Sequence, residues 1–77
     1  MRIYMENVPA AMSEQDLTRL FEVYGPVARV LIVQEKGSRN AIIEMRLIDD
    51  AMQAIDALDG REFYGQRVRV YEESVAI

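Results

Sequence analysis

The chain has 77 residues, 51% hydrophobic and 29% charged, with a net charge of −4. That composition is globular and sized for one small domain, residues 1–77, with a single compact core. The absence of cysteine excludes disulfides and thiolate metal sites and makes an intracellular, cytoplasmic location the expectation. No apolar run approaches the ~18 residues of a membrane span, and no charged-then-apolar leader opens the chain, so no membrane association is expected.

Taken in order, Arg2 to Glu6 alternates apolar and polar side chains, which predicts a strand with Ile3 and Met5 inward and Arg2, Tyr4 and Glu6 on the solvent side. Asn7-Val8-Pro9 ends it, since proline has no N–H for a sheet ladder. Ser13, with Asp16 three residues on, resembles a capping box. Leu17, Leu20, Phe21 and Tyr24 then form one apolar stripe, predicting a helix over 13–24 that Gly25-Pro26 stops, with Gly25 suited to a left-handed cap. Val27 to Gln34 reads as a strand with Val30 and Ile32 inward, and 35–39 as a polar turn. Asn40 to Arg46 is the next strand, with Ala41, Ile43 and Met45 inward. Asp49 or Asp50 can cap a second helix with the stripe Ala51, Ala54, Ile55 and Leu58, closed by Asp59-Gly60. Residues 61–65 are a turn-bearing link, and Gln66 to Glu72 a last alternating strand with Val68 and Val70 inward. Phe21, Tyr24 and Phe63 read as core, and Met5, Met12, Met45 and Met52 as gap fillers. The order βαββαβ is an α+β, ferredoxin-like arrangement, a four-stranded antiparallel sheet with two helices on one face.

Ile3-Tyr4-Met5-Glu6-Asn7-Val8 resembles the hexapeptide of the RNA recognition motif family, [ILV]-[FY]-[ILV]-x-N-[LV]. Leu17-x-x-Leu20-Phe21, Tyr24-Gly25, Val27, Ala54-Ile55, Leu58-x-Gly60, Gly65, Val68 and Val70 extend the likeness almost end to end, most like the compact single-domain versions found in bacteria. With the handedness of the crossovers, the resemblance implies strand order 4-1-3-2, and it implies that Tyr4 stacks on an RNA base. The family's octapeptide, [KR]-G-[FY]-[GA]-F-V-x-[FY], aligns with residues 38–45 in degenerate form: Asn40 and Ile42 stand where the family has aromatics, and Ser38-Arg39 where it has a basic residue and glycine. Each stacked base is worth roughly 1–3 kcal/mol, so losing two platforms implies weak binding of single-stranded RNA.

Strand parity puts Arg2, Tyr4, Glu6, Arg29, Leu31, Val33, Asn40, Ile42, Glu44, Arg46, Arg67, Arg69 and Tyr71 on the open face, an excess of three positive charges. The helical segments 13–24 and 48–60 carry seven acids against Arg19 alone, so the charge is segregated. The expected RNA-binding residues are Tyr4 as stacking platform, Arg2, Arg39, Arg67 and Arg69 as phosphate contacts, Asn40 as a base-edge partner, Ile42, and Tyr71. Tyr71 reads as a cross-strand packing partner of Tyr4 ahead of a second platform. Leu31, Val33 and Ile42 form a small apolar cluster whose alternative reading is protein contact or self-association. A net charge of −4 with a pI near 4.7 argues against indiscriminate polyanion binding, which rests on a surplus of basic side chains. No histidine or cysteine offers a general base or nucleophile, and the acidic pairs 49–50 and 72–73 read as caps or solvated charge. No enzymatic activity, metal or cofactor is expected.

Overall fold

The computed structural model describes residues 1–73. Its elements are β1 (Arg2–Glu6), α1 (Glu14–Glu22), β2 (Val27–Glu35), β3 (Ser38–Met45), α2 (Ile48–Leu58), β4 (Glu62–Phe63), β5 (Gln66–Arg67) and β6 (Arg69–Glu72). A four-stranded antiparallel sheet runs β2-β3-β1-β6, the 4-1-3-2 order when its strands are counted along the chain. A separate two-stranded ribbon joins β4 to β5.

The core lies between one face of the sheet and the helices. Ile3 and Met5 of β1, Ala41, Ile43 and Met45 of β3, and Val70 of β6 meet Leu17 and Phe21 of α1 and Ala51, Ala54 and Leu58 of α2, all buried. Tyr24 and Phe63 pack on this core partly buried, as do Val30 and Ile32 of the edge strand β2. Met52 departs from its expected role as a gap filler. It is 54% exposed, because its position on α2 lies outside the buried stripe of Ala51, Ala54 and Leu58.

Helix α1 begins at a complete capping box: Ser13 Oγ accepts from the Asp16 N–H, and the Asp16 carboxylate accepts from the Ser13 N–H. Those bonds from Ser13 hold the Asp16 carboxyl below its ordinary pKa. Helix α2 has no side-chain cap. Leu47 is its N-cap, and Asp49 and Asp50 lie inside the first turn, where their charges favour the helix dipole. Gly25 is not in the left-handed region either. Its missing side chain is needed because a Cβ there would stand 2.1 Å from Asp50 Oδ2, so glycine lets the chain after α1 pass close to α2.

The largest departure from the expected elements is the last strand. Tyr64 (φ 52°) and Gly65 (φ 79°) form a two-residue turn that folds β5 back on β4, with Glu62 opposite Arg67 and Phe63 opposite Gln66. The Val68 N–H donates to the Arg61 carbonyl and the Gly60 N–H to the Val68 carbonyl, while the Val68 side chain stays buried. The chain therefore joins the main sheet only from Arg69 onward.

Candidate nucleic-acid interface

The sheet face away from the helices is organised in rows that the register sets. Leu31 on β2 lies opposite Ile42 on β3, Ile42 opposite Tyr4 on β1, and Tyr4 opposite Tyr71 on β6. This middle row is apolar and aromatic across all four strands. The Tyr4 and Tyr71 ring centroids are 5.7 Å apart with planes inclined at 47°, a tilted contact of the kind aromatic pairs favour. Neither reading of Tyr71 excludes the other in this geometry: its ring packs beside Tyr4 and remains part of the open face. Leu31 is 40% exposed, and Val33 and Ile42 are half-buried.

One flanking row is charged. Arg29 faces Glu44, Glu44 faces Arg2, and the Glu73 N–H bonds the Arg2 carbonyl. Arg29 pairs with Glu44 at 3.7 Å and Arg2 with Glu73 at 3.7 Å. Glu6 and Arg69 face each other in the row on the other side of the aromatics. The Tyr71 hydroxyl donates to Glu6 Oε2, and the Arg69 guanidinium sits over the Tyr71 ring, 5.6 Å from its centroid. The bond to Glu6, helped by partial burial, pushes the Tyr71 phenol up to about 12, because ionising it would put a second negative charge against the carboxylate.

The expected positive excess does not survive this arrangement. The four strands bring Arg2, Arg29 and Arg69 to the face together with Glu6, Glu35 and Glu44, three charges of each sign, and Glu73, the residue following β6, adds a fourth acid beside Arg2. Arg46 lies beyond the end of β3. Arg67 belongs to the small ribbon, where it pairs with Glu62 at 3.2 Å and donates to the Gly60 carbonyl at 3.3 Å. Arg39 has the inward parity of Ala41 and Ile43. Its Nη2 donates to the Met12 carbonyl at 2.6 Å, tying β3 to the segment before α1. Of the four arginines expected to meet phosphates, Arg69 is the one with neither a carboxylate within ion-pair distance nor a carbonyl partner among the described residues.

Where β1 ends beside the β2–β3 hairpin, the face deepens into a groove of about 580 Å³, lined by Tyr4, Glu6, Asn7, Gln34, Asn40 and Gln66 among others. Asn7, with φ 65°, braces its floor. Its Nδ2 donates to the Arg67 carbonyl at 2.9 Å, its Oδ1 accepts from Gln66 Nε2 at 3.2 Å, and its N–H donates to Asn40 Oδ1 at 3.4 Å. Glu6 is the site residue that parity placed on this face without a role. The signal available was its position two residues from Tyr4 on the same strand face. No group of three or more metal-ligating side chains occurs among the described residues.

Residues 3–69 match the RNA recognition motif family. The chain is 35% identical over 69 residues to a probable splicing factor, arginine/serine-rich 3, from Caenorhabditis elegans, covering 90% of this chain and 27% of that protein. It is 31% identical to the crystallised RNA-binding protein PG1, with a TM-score of 0.86 and coverage of 100% and 98% of the two chains. The third RNA recognition motif of Pes4 has the same fold at 18% identity, with a TM-score of 0.90 over 99% and 94% of the chains. The chain spans between 18% and 35% of the length of the curated relatives it matches. On the hexapeptide, the sheet order and this match over most of its length, the chain belongs to the RNA recognition motif family.

Proposed function

We propose that the module binds single-stranded RNA weakly on the open sheet face, with one base stacked on Tyr4. The observation that carries this reading is the row Leu31–Ile42–Tyr4–Tyr71, a continuous apolar and aromatic floor with Tyr4 on an inner strand. A base laid on Tyr4 gains stacking on one side and contact with Ile42 or Tyr71 at its edges. Asn40 offers an amide to the base, and Arg69, held over Tyr71, is the best-placed cation for a neighbouring phosphate. Arg2 must leave Glu73, and Arg67 must leave Glu62, before either meets a phosphate. Binding is weak on two grounds: the octapeptide lacks its aromatic platforms, and the face carries no positive surplus. RNA is favoured over a protein partner for Leu31, Val33 and Ile42, because Leu31 and Ile42 continue the floor that Tyr4 centres and Val33 lies beside it opposite Asn40, instead of forming a separate patch.

The test is an amide-resolved NMR titration with a mixed short single-stranded RNA at low and at physiological salt. Shifts concentrated on Tyr4, Asn40, Ile42, Arg69 and Tyr71 are expected. Their absence even at low salt overturns the reading.

A further inference from the structure

Resting on the RNA reading above, we propose that Glu6 and Asn40 make the groove beside Tyr4 selective for guanine over the other bases. Glu6 lies on the Tyr4 side of β1, two residues further along, and Asn40 follows on β3 where the register that pairs Tyr4 with Ile42 and Met5 with Ala41 continues. Both line the groove.

The polarity of each group is set by its neighbours. An ionised carboxylate only accepts, and Glu6 is oriented by the Tyr71 hydroxyl, which uses one lone pair of Oε2. Among the described residues no other hydrogen bond or ion pair engages the Glu6 carboxylate, so Oε1 and the second lone pair of Oε2 remain for a ligand. Asn40 cannot turn its amide over without loss, because the Asn7 backbone N–H needs an oxygen opposite it and finds Asn40 Oδ1. The Asn40 amide NH2 makes no other hydrogen bond among the described residues and is thereby left as a donor. Arg39, a cation that lines the groove, donates from Nη2 to the Met12 carbonyl.

The groove therefore presents two acceptors next to one donor. Guanine alone among the four bases has the matching edge: N1–H and the 2-amino group as adjacent donors, then O6 as acceptor. Uracil offers a single imino donor between two carbonyls, one of which would face the carboxylate. Adenine and cytosine turn a ring nitrogen lone pair toward the same carboxylate, so they match with their exocyclic amine only. Buried donors and acceptors left unpaired by the wrong base give the discrimination.

The test is the affinity of the chain for a short oligouridylate carrying guanine, hypoxanthine, adenine or cytosine at its central position, read by fluorescence anisotropy. Guanine is expected to bind about tenfold tighter than adenine or cytosine, with hypoxanthine between them because it lacks the 2-amino donor. Glu6→Gln keeps an oxygen for the Tyr71 hydroxyl but replaces one acceptor with a donor. It should still bind all four RNAs while losing the guanine preference, and Asn40→Asp should lose it as well. Equal affinity for the four RNAs, or a guanine preference that survives Glu6→Gln, overturns the inference and leaves the RNA surface standing. Failure of every RNA to bind overturns both.

Discussion

At the scale of single residues, the contact between Tyr71 and Glu6 links stability to the binding face. The phenol proton is held by the carboxylate, which raises the folded-state pKa from 10.0 to about 12. A group whose pKa is raised on folding stabilises the fold fully below its unfolded value and loses that contribution as pH rises through the folded one. Tyr71 should therefore support the sheet up to about pH 10 and stop doing so as pH approaches about 12. Following the Tyr71 ring carbons by NMR through this range checks it directly. A midpoint near 12 is expected, and the Glu6→Gln variant should bring it down; a midpoint near 10 in the unmodified chain would contradict the assignment. The same scale shows what residue patterns leave legible. Alternation along β1 placed Tyr4 and Glu6 on the open face and Ile3 and Met5 in the core. Arg39 was not legible in this way, because residues 35–39 read as a polar turn and the octapeptide alignment makes it a phosphate contact. β3 instead begins at Ser38, so Arg39 shares the inward side with Ala41 and Ile43 and finds the Met12 carbonyl there.

At the scale of elements, the helices differ in how they start. The α1 capping box satisfies two backbone groups reciprocally, whereas α2 begins without a side-chain cap. Ser13→Ala should accordingly lower stability by about 1 kcal/mol, measured by chemical denaturation at neutral pH, with the fold unchanged. An unchanged denaturation midpoint would mean that the cap contributes nothing net. Both edges of the main sheet are occupied by acidic side chains: Glu14 accepts from the Ile32 N–H at 3.2 Å, and Asp59 accepts from the Val70 N–H at 2.9 Å. Edge N–H groups covered in this way are poor templates for another strand. The ribbon β4–β5 was not legible in advance. Its turn places Tyr64 at positive φ, where asparagine, aspartate or glycine is the usual signal, so nothing in residues 61–65 marked a two-residue hairpin. Missing it also misplaced Arg67, which parity carried onto the open face and the ribbon turns toward Glu62.

At the scale of the whole molecule, the acidic helices lie behind a sheet face with no positive excess. Net charge and pI pointed in this direction, but the outcome depends on β2 reaching Glu35, on Glu73 meeting Arg2 and on Arg67 leaving the sheet, which only the fold determines. Few phosphates can be neutralised on such a surface. Because single strands lose roughly 0.7 in log K per neutralised phosphate for each tenfold rise in salt, the affinity for RNA should fall with a slope between about −0.7 and −1.4. A slope steeper than about −3 would show that the arginine pairs with Glu44, Glu62 and Glu73 open on binding.

The central claim, that the face works by stacking on Tyr4, is tested most directly by the RNA affinity of Tyr4→Ala beside that of the unmodified chain, with circular dichroism as the control for folding. Loss of one platform is expected to cost about 1–3 kcal/mol, roughly a fivefold to hundredfold weakening, with the spectrum unchanged. An affinity equal to that of the unmodified chain, in a variant that is fully folded, would contradict the account.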